Sequence, residues 1–301
     1  MGISNYLKEI GRGKQGARAL DRARAADLFA QVLDGTVTDL EIGAFCIAMR
    51  IKGETPEEMA GFLDATASRM QPASSRSGKP VIVLPSYNGA RRLPVLTPLL
   101  AALVARRGLP VLIHGAATES TRIFASDVLQ ALDVQPSQSA PRIDDGQIAY
   151  VPTEVLSPGL KRLLDVRKVV GLRNSAHSLV KLMNPCDGPA VIVSSYTHPE
   201  YAISMAAVFE LMGSTALLLR GTEGEAVADA RRMPQMEGFI RGDKVLLQEG
   251  RKGTLTDLPD LPKEVDVATT AAYVRAVLAG QKPIPDSLSL QVEHILHLAD
   301  A

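Results

Sequence analysis

The chain has no tryptophan, only two cysteines, and no apolar run approaching the roughly 20 residues that a bilayer-spanning helix needs. Cys46 and Cys186 match no metal-site spacing, so the sequence predicts neither a zinc site nor a disulfide framework. The first residues, MGISNYLKEIGRGKQG, lack the apolar core of a signal peptide, and Tyr6 stands where a myristoylation motif has Ser or Thr. We therefore expect a cytoplasmic protein with no membrane partner.

The chain also lacks net charge, because 33 basic residues balance 33 acidic ones. This excludes a protein that is basic throughout, but the charges are unevenly spread. Residues 8–24 hold six cations and two acids, and residues 161–181 hold six cations and one acid. Each basic stretch is either a solvated helix face or, if the two lie together in space, part of a surface that attracts polyanions.

Apolar spacing predicts helices, and no strand, over about the first 70 residues. Thr38 with Glu41, and Thr55 with Glu58, form capping boxes at two of the helix starts. The helix that follows Thr38 carries one apolar stripe, made of Leu40, Ala44, Ile47, Ala48 and Ile51. A linker follows at residues 71–80.

Beyond the linker the pattern changes to alternating strands and helices. The run VIVL at 81–84 predicts a buried strand, followed by a helix and the strand LPVLIHG, which together form a βαβ unit. A second such series spans residues 189–221, and a strand at 244–248 and a helix at 267–279 are also predicted. Residues 156–185 are basic and helical, and we expect them to pack with the N-terminal helices.

The segment PSYNGARRLP, residues 85–94, lies where an α/β protein usually holds phosphate. It has one glycine, Gly89, and begins with Pro85, which has no backbone N–H group to offer an anion. Two adjacent arginines, Arg91 and Arg92, follow. They would hold either a nucleic-acid phosphate or a small phosphorylated ligand, or they are ordinary surface arginines.

The segment LDGTVTDLEIGAFCIAMRIKGETPEEMAGF resembles the N-terminal domain of anthranilate phosphoribosyltransferases, in glycosyltransferase family 3. The resemblance implies an α/β protein with a nucleoside phosphorylase/phosphoribosyltransferase-like fold, in which a small all-helical domain forms the homodimer interface. The helical domain would comprise residues 1–72, completed by helices in 156–185. Residues 78–155 and 186–301 would form the larger α/β domain, with a ligand cleft between the two.

The family's substrate motifs are largely replaced in this chain. Its GTGGD pyrophosphate loop falls on PSYNG at 85–89, and its KHGN element keeps only His114 and Gly115. No adjacent acidic pair stands where its magnesium-binding Asp-Glu pair should follow RGTEG. The residues that could build another polar or phosphate-binding pocket in the cleft are Ser86, Tyr87, Asn88, Gly89, Arg91, Arg92, His114, Gly115, Ser120, Thr121, Arg122 and Arg173.

The replaced motifs and the segment RGTEGE resemble the YbiB-type branch of this family, which is associated with nucleic-acid binding. This resemblance implies a homodimer that binds DNA or RNA with little sequence preference, and that has no catalytic residue, metal or cofactor. The residues expected to contact nucleic acid are Arg12, Lys14, Arg18, Arg22, Lys161, Arg162, Arg167, Lys168 and Lys181. The alternative is an active phosphoribosyltransferase or glycosyltransferase that uses Mg²⁺ and a phosphorylated ribose donor. The sequence leaves open whether the chain is an enzyme and whether a small phosphorylated ligand still binds.

Overall fold

The computed structural model of the chain describes residues 2–13 and 15–301. Contacts divide the described chain into two units. The helical unit comprises the residues up to Gln71 together with Thr153–Pro185, and the α/β unit comprises Pro72–Pro152 together with Cys186–Ala301. The expected α/β fold with a smaller helical part is confirmed.

The helical unit is built from short helices, several of which begin at a residue whose side chain caps the helix. Both predicted capping boxes are present, since the side chains of Thr38 and Thr55 accept hydrogen bonds from the backbone of Glu41 and Glu58. The helices are α1 (Ser4–Ile10), α2 (Arg22–Asp34), α3 (Asp39–Lys52), α4 (Pro56–Ala67), α7 (Thr153–Leu156), α8 (Pro158–Val170) and α9 (Ala176–Leu179). The side-chain caps lie at the starts of α2, α3, α4 and α8.

Three phenylalanines form the centre of the helical unit. The Phe29 ring stacks on the Phe62 ring at 4.5 Å between centroids, and Phe45 meets both edge-on at about 6 Å. All three side chains are fully buried, and aromatic pairs in such geometries add to the free energy of hydrophobic burial. This cluster fixes which face of α3 points inward.

The apolar stripe on α3 points the other way. Leu40 is 84% exposed and Ile51 is 60% exposed, and Ala44 between them is also exposed. The inward face of the same helix carries Phe45 and Met49, both fully buried. In the single chain, α3 therefore presents apolar side chains on two faces, and only one of them is covered.

The α/β unit contains a seven-stranded sheet, in the order β5-β3-β2-β6-β7-β8-β9. Its strands are β2 (Val81–Ser86), β3 (Val111–Gly115), β5 (Ile148–Pro152), β6 (Ala190–Tyr196), β7 (Ala216–Arg220), β8 (Met236–Ile240) and β9 (Asp243–Gln248). The first five strands in this order, β5, β3, β2, β6 and β7, pair in parallel. Strand β8 pairs with β7, and β9 with β8, in the antiparallel direction. The short strands β1 (Ser74–Ser75) and β4 (Arg142–Ile143) form a separate parallel pair.

The helices of the α/β unit are α5 (Thr97–Ala105), α6 (Ala125–Ala131), α10 (Pro199–Met212), α11 (Val267–Leu278) and α12 (Asp286–Ala299). Strand β2 is buried along its whole length, which explains its continuous apolar run. In the sheet, the central strand β2 lies between β3, which follows it in the chain, and β6 on its other side. The carboxyl ends of β2 and β6 therefore flank the point where open α/β sheets usually bind ligands.

Several elements were not predicted from the sequence. Strand β5 reads IAYVP and β8 reads MEGFI, and both are too short to show a clear period of side-chain polarity. In the described residues, no helix combines the length and the apolar character needed to cross a membrane.

Candidate functional site

The loop after β2 occupies the ligand-binding edge of the sheet. Gly89 has a φ of 64°, in the left-handed region that favours glycine, and Ala90 pairs with Ile123 in an isolated antiparallel bridge. Ser86, Tyr87 and Asn88 are all buried. The loop is thus a folded part of the unit, and its backbone N–H groups point at specific partners.

Glu225 fills the first part of this loop. Its Oε1 accepts hydrogen bonds from the backbone N–H groups of Asn88 and Gly89, both at 2.9 Å. Its Oε2 accepts hydrogen bonds from the hydroxyl of Ser86 at 2.6 Å and from that of Thr97 at 3.0 Å. The residue is only 2% exposed. The Glu225 carboxylate therefore accepts the hydrogen bonds that these backbone amides would otherwise donate to a phosphate group.

Glu223 fills the second part of the loop in the same way. Its Oε2 accepts hydrogen bonds from the backbone N–H groups of Arg91 at 2.9 Å, Arg92 at 3.0 Å and Leu93 at 3.3 Å. Burial opposes ionisation of this carboxyl, but the three amides and the charge of Arg122 outweigh burial and hold the Glu223 pKa below its usual value.

The turn that presents both carboxylates follows β7 and is tightly built. Glu223 has a φ of 51°, uncommon for a residue with a side chain, and Gly224 has a φ of 90°. This positive φ favours glycine at position 224, and a Cβ there would also lie 2.3 Å from the side-chain nitrogen of Asn88, which would have to move. Ser195 on β6 donates a hydrogen bond to the Gly224 carbonyl at 2.8 Å.

These contacts do not suit the magnesium ion of the resembled family. Both Glu225 oxygens already accept hydrogen bonds from two donors each, and donors around a carboxylate exclude a cation. The segment EAVAD, residues 225–229, follows RGTEG where the metal-binding acidic pair is expected, and it contains no adjacent acidic pair. Among residues 2–13 and 15–301, no group of three or more His, Cys, Asp or Glu side chains could hold a metal.

His114 is retained from the family's motif but is not accessible to a ligand. It is 0% exposed, its Nδ1 lies 2.8 Å from the Tyr87 hydroxyl, and its buried Nε2 has no hydrogen-bond partner among the described residues. Burial lowers the His114 pKa to about 3, so the ring is neutral at physiological pH. Gly115 is buried beside it, at the end of β3.

The remaining predicted cleft residues lie on different parts of the chain. Ser120 and Thr121 are exposed in the loop before α6. The guanidinium of Arg122 donates to Glu119 at 3.0 Å and to the Asn88 carbonyl at 3.1 Å, which anchors the phosphate-loop region. Arg173 belongs to the helical unit, where its carbonyl accepts a hydrogen bond from Arg50.

A cationic cavity of about 710 Å³ lies at the same edge of the sheet, within the α/β unit. It is bounded by the loop at 91–93, by Tyr196 at the end of β6 and by Arg220 at the end of β7. Segments 229–235 and 250–253 complete it. Its cationic side chains are Arg91, Arg92, Arg220, Arg231, Arg232, Arg251 and Lys252.

Five of these seven cations were not predicted as site residues. The available signal was the recurrence of adjacent basic pairs in loops, at 91–92, 231–232 and 251–252. The expectation from the sequence rested on charge concentrated in one stretch, whereas these pairs are separated by up to 160 positions. Only the sheet brings them to one edge.

The predicted nucleic-acid contacts all lie in the helical unit, except that Lys14 falls outside the described residues. Several are engaged within the chain. Arg22 forms a two-pronged ion pair with Asp64, Arg162 donates to the Val32 carbonyl at 2.6 Å, and Lys161 and Lys168 both contact Asp165. Arg12 and Arg18 are exposed and form no ion pair with the described residues. Arg167 and Lys181 are partly buried.

Comparison with known proteins agrees with this architecture. Residues 4–70 match the family described as glycosyl transferase family, helical bundle domain. The chain is 41% identical over 298 residues to protein YbiB of Escherichia coli K12, covering 97% of this chain and 92% of that protein. It is 31% identical over 291 residues to an anthranilate phosphoribosyltransferase of Saccharopolyspora erythraea, covering 90% of this chain and 78% of that enzyme.

Solved structures share the fold. Anthranilate phosphoribosyltransferase from Thermus thermophilus superposes with a TM-score of 0.72 at 22% identity, covering 98% of this chain and 89% of that one. The Saccharomyces cerevisiae enzyme in complex with PRPP and Mg gives a TM-score of 0.71 at 14% identity, covering 99% and 88%. With relatives of this identity and coverage, the chain belongs to the anthranilate phosphoribosyltransferase-like proteins of glycosyltransferase family 3.

Proposed function

We propose that this chain is a homodimer that binds DNA or RNA through phosphate contacts, with little sequence preference, and that it is not an efficient phosphoribosyltransferase. The observation that argues against efficient transferase activity is the filled phosphate loop. Its amides and hydroxyls at 86–97 already bind Glu223 and Glu225. A ribose donor would have to displace two carboxylates whose burial and hydrogen bonds are already satisfied, which opposes binding of its pyrophosphate.

Exposed cations of the helical unit support the nucleic-acid part of the proposal. The unit holds 15 Lys and Arg against 12 Asp and Glu, and Arg12 and Arg18 are exposed. On α8, Lys161 and Lys168 share a single carboxylate, Asp165, which leaves one positive charge in excess. Contacts of Arg and Lys to phosphate position a protein on nucleic acid without reading its bases.

The uncovered stripe on α3 supports the homodimer. Leu40 and Ile51 are large apolar side chains held in water on an otherwise well-packed helix. Exposed apolar patches of this kind mark association surfaces, and a two-fold axis would place the stripe against its own copy. We expect L40E/I51E to elute as a monomer in size-exclusion chromatography with light scattering, while the unaltered protein elutes as a dimer. A dimer that persists in the variant would contradict this interface.

Fluorescence anisotropy with labelled single- and double-stranded DNA tests nucleic-acid binding. Two unrelated sequences should bind with similar affinity, and if about six phosphates are neutralised the log–log slope against salt should be near −5. The variant R12E/R18E should weaken binding to both sequences alike and make the slope less negative. R142E is the matched control, because Arg142 is exposed in the α/β unit and forms no side-chain bond to the described residues. A flat slope, or no binding at low salt, would overturn the proposal.

The transferase alternative makes an opposite prediction. It requires saturable binding of phosphoribosyl pyrophosphate with Mg²⁺, and turnover of anthranilate. We expect calorimetry with both present to show no binding at micromolar donor and the fluorescence assay of the product to show no turnover. Turnover at ordinary enzymatic rates would remove the proposed function.

A further inference from the structure

The cationic cavity of the α/β unit adjoins the loop that Glu223 and Glu225 fill, and the side chains of Arg91 and Arg92 extend from that loop into its lining. Its volume of about 710 Å³ falls within the range of roughly 300–1,000 Å³ that small-molecule sites occupy. It opens beyond the carboxyl ends of β6 and β7, where Tyr196 and Arg220 contribute side chains. Fold position and size are both those of a ligand site.

The charge in the cavity is opposite to that of the unit that surrounds it. The α/β unit as a whole has 18 Lys and Arg against 21 Asp and Glu. The cavity lining has seven cations and two carboxylates, Glu223 and Asp229. An acidic unit that collects over a third of its cations around one concavity focuses a positive potential there.

The two carboxylates leave most of the positive charge of the cavity unneutralised. Glu223 is turned toward the backbone amides of Arg91, Arg92 and Leu93. Asp229 pairs with Arg231 at 3.0 Å and lies 4.0 Å from Arg232. The remaining cations, Arg91, Arg92, Arg220, Arg251 and Lys252, make no side-chain hydrogen bond or ion pair with residues 2–13 or 15–301.

We propose that this cavity binds a small polyphosphate anion, either inorganic pyrophosphate or the polyphosphate group of a nucleotide. Arginine forks match phosphate oxygens in pairs, and several of them can meet the charges of adjacent phosphoryl groups. The arginines supply the neutralisation, so binding needs no metal ion. Tyr196 is the single aromatic residue of the lining, so we expect the site to recognise the charged phosphate groups of its ligand and not a nucleobase. The cavity residues belong to the α/β unit and the proposed nucleic-acid contacts to the helical unit, and the cavity assignment does not depend on nucleic-acid binding.

Isothermal titration calorimetry with inorganic pyrophosphate, without Mg²⁺ and at low salt, tests the proposal. Pyrophosphate should bind one site per chain, more tightly than orthophosphate and more weakly as salt rises. R220Q/R251Q should weaken it at least about tenfold, because each arginine contributes charge-assisted hydrogen bonds. Both residues are exposed and unpaired in the described chain, so folding should be unaffected, which the melting temperature checks.

The matched control is R142Q/K263Q, which removes two exposed cations of the same unit outside the cavity. It should bind pyrophosphate within about twofold of the unaltered protein, as expected when only distant screened charges change. Equal weakening by both variants, no weakening by R220Q/R251Q, or no heat with millimolar pyrophosphate would overturn the proposal.

Nucleic acid is the other source of the same phosphate chemistry, and the variants distinguish the two. A labelled 30-nucleotide DNA should bind R220Q/R251Q as it binds the control. If R220Q/R251Q loses DNA and pyrophosphate together, the cavity belongs to the nucleic-acid surface and the assignment to a free polyphosphate is wrong. If DNA binding is absent in all variants while pyrophosphate binding follows the expected pattern, the nucleic-acid proposal fails and the cavity assignment stands.

Discussion

The basic helices of the helical unit and the cationic cavity of the α/β unit differ in where their nearby carboxylates point. In the helical unit, acidic neighbours turn toward the basic residues, as Asp64 does toward Arg22 and Asp165 toward Lys161. In the α/β unit, Glu223 lies in the cationic cavity but binds backbone amides. A cluster of basic residues in the sequence therefore does not measure free positive charge. What matters is where the nearby carboxylates point.

The largest expected effect is the loss of stability when the buried carboxylate of Glu225 is removed. Glu225→Ala should lower the free energy of unfolding by about 3–5 kcal/mol, because it strands two hydroxyls and two amides at a buried site. Urea denaturation measures the loss. Glu249→Ala, at an exposed position, should change stability by less than about 0.5 kcal/mol. Equal effects would mean that Glu225 does not hold the loop.

A second effect comes from His114, which is buried and neutral beside the filled loop. Its folded pKa of about 3 lies below its unfolded value of 6.5, so the unfolded state binds the proton first as the pH falls. Stability should thus be lost as the pH drops below about 6.5. Between pH 7 and pH 5, His114 should contribute on the order of 2 kcal/mol of this loss. Urea titrations of the unaltered protein and of His114→Gln measure it, and the variant should show a shallower dependence on pH.

A smaller effect is expected on DNA binding, where substitution of unpaired and of ion-paired cations of the helical unit can be compared. R12Q/R18Q should weaken DNA binding roughly tenfold at moderate salt, because two phosphate contacts are lost and the slope falls by about two. Arg22→Gln should weaken it much less, since Arg22 is held by Asp64. Anisotropy titrations compare them. A loss with Arg22→Gln as large as with R12Q/R18Q would mean that ion pairing does not withdraw an arginine from phosphate.

The smallest expected effect is on stability at the same ion pair. The Arg22 and Asp64 side chains are 42% and 40% exposed, so solvent screens their attraction. Arg22→Gln should lower the free energy of unfolding by no more than about 1 kcal/mol. Thermal or urea unfolding checks this, and a loss near that of Glu225→Ala would show that the pair is far stronger than its exposure suggests.

Much of the fold was predictable because its signals are local. Thr38 with Glu41 and Thr55 with Glu58 marked two helix starts, and the apolar run at 81–84 marked the central strand. Strand β5 was missed because its side chains alternate poorly and its burial comes from neighbours far along the chain. The stripe on α3 was visible, but its outward direction followed only from the packing of Phe45 against Phe29 and Phe62.

The sequence by itself determined the class of protein, the helix starts, the central strands and the loss of the family's phosphate loop and acidic pair. These depend on residue types at fixed short spacings. Tertiary structure alone decided that Glu223 and Glu225 fill the altered loop, and that Arg220 and the pair 251–252 join Arg91 and Arg92 around one cavity. The reason is physical: hydrogen bonds and electrostatic fields depend on distance in space, and parallel strands bring their carboxyl ends together from positions far apart in the chain.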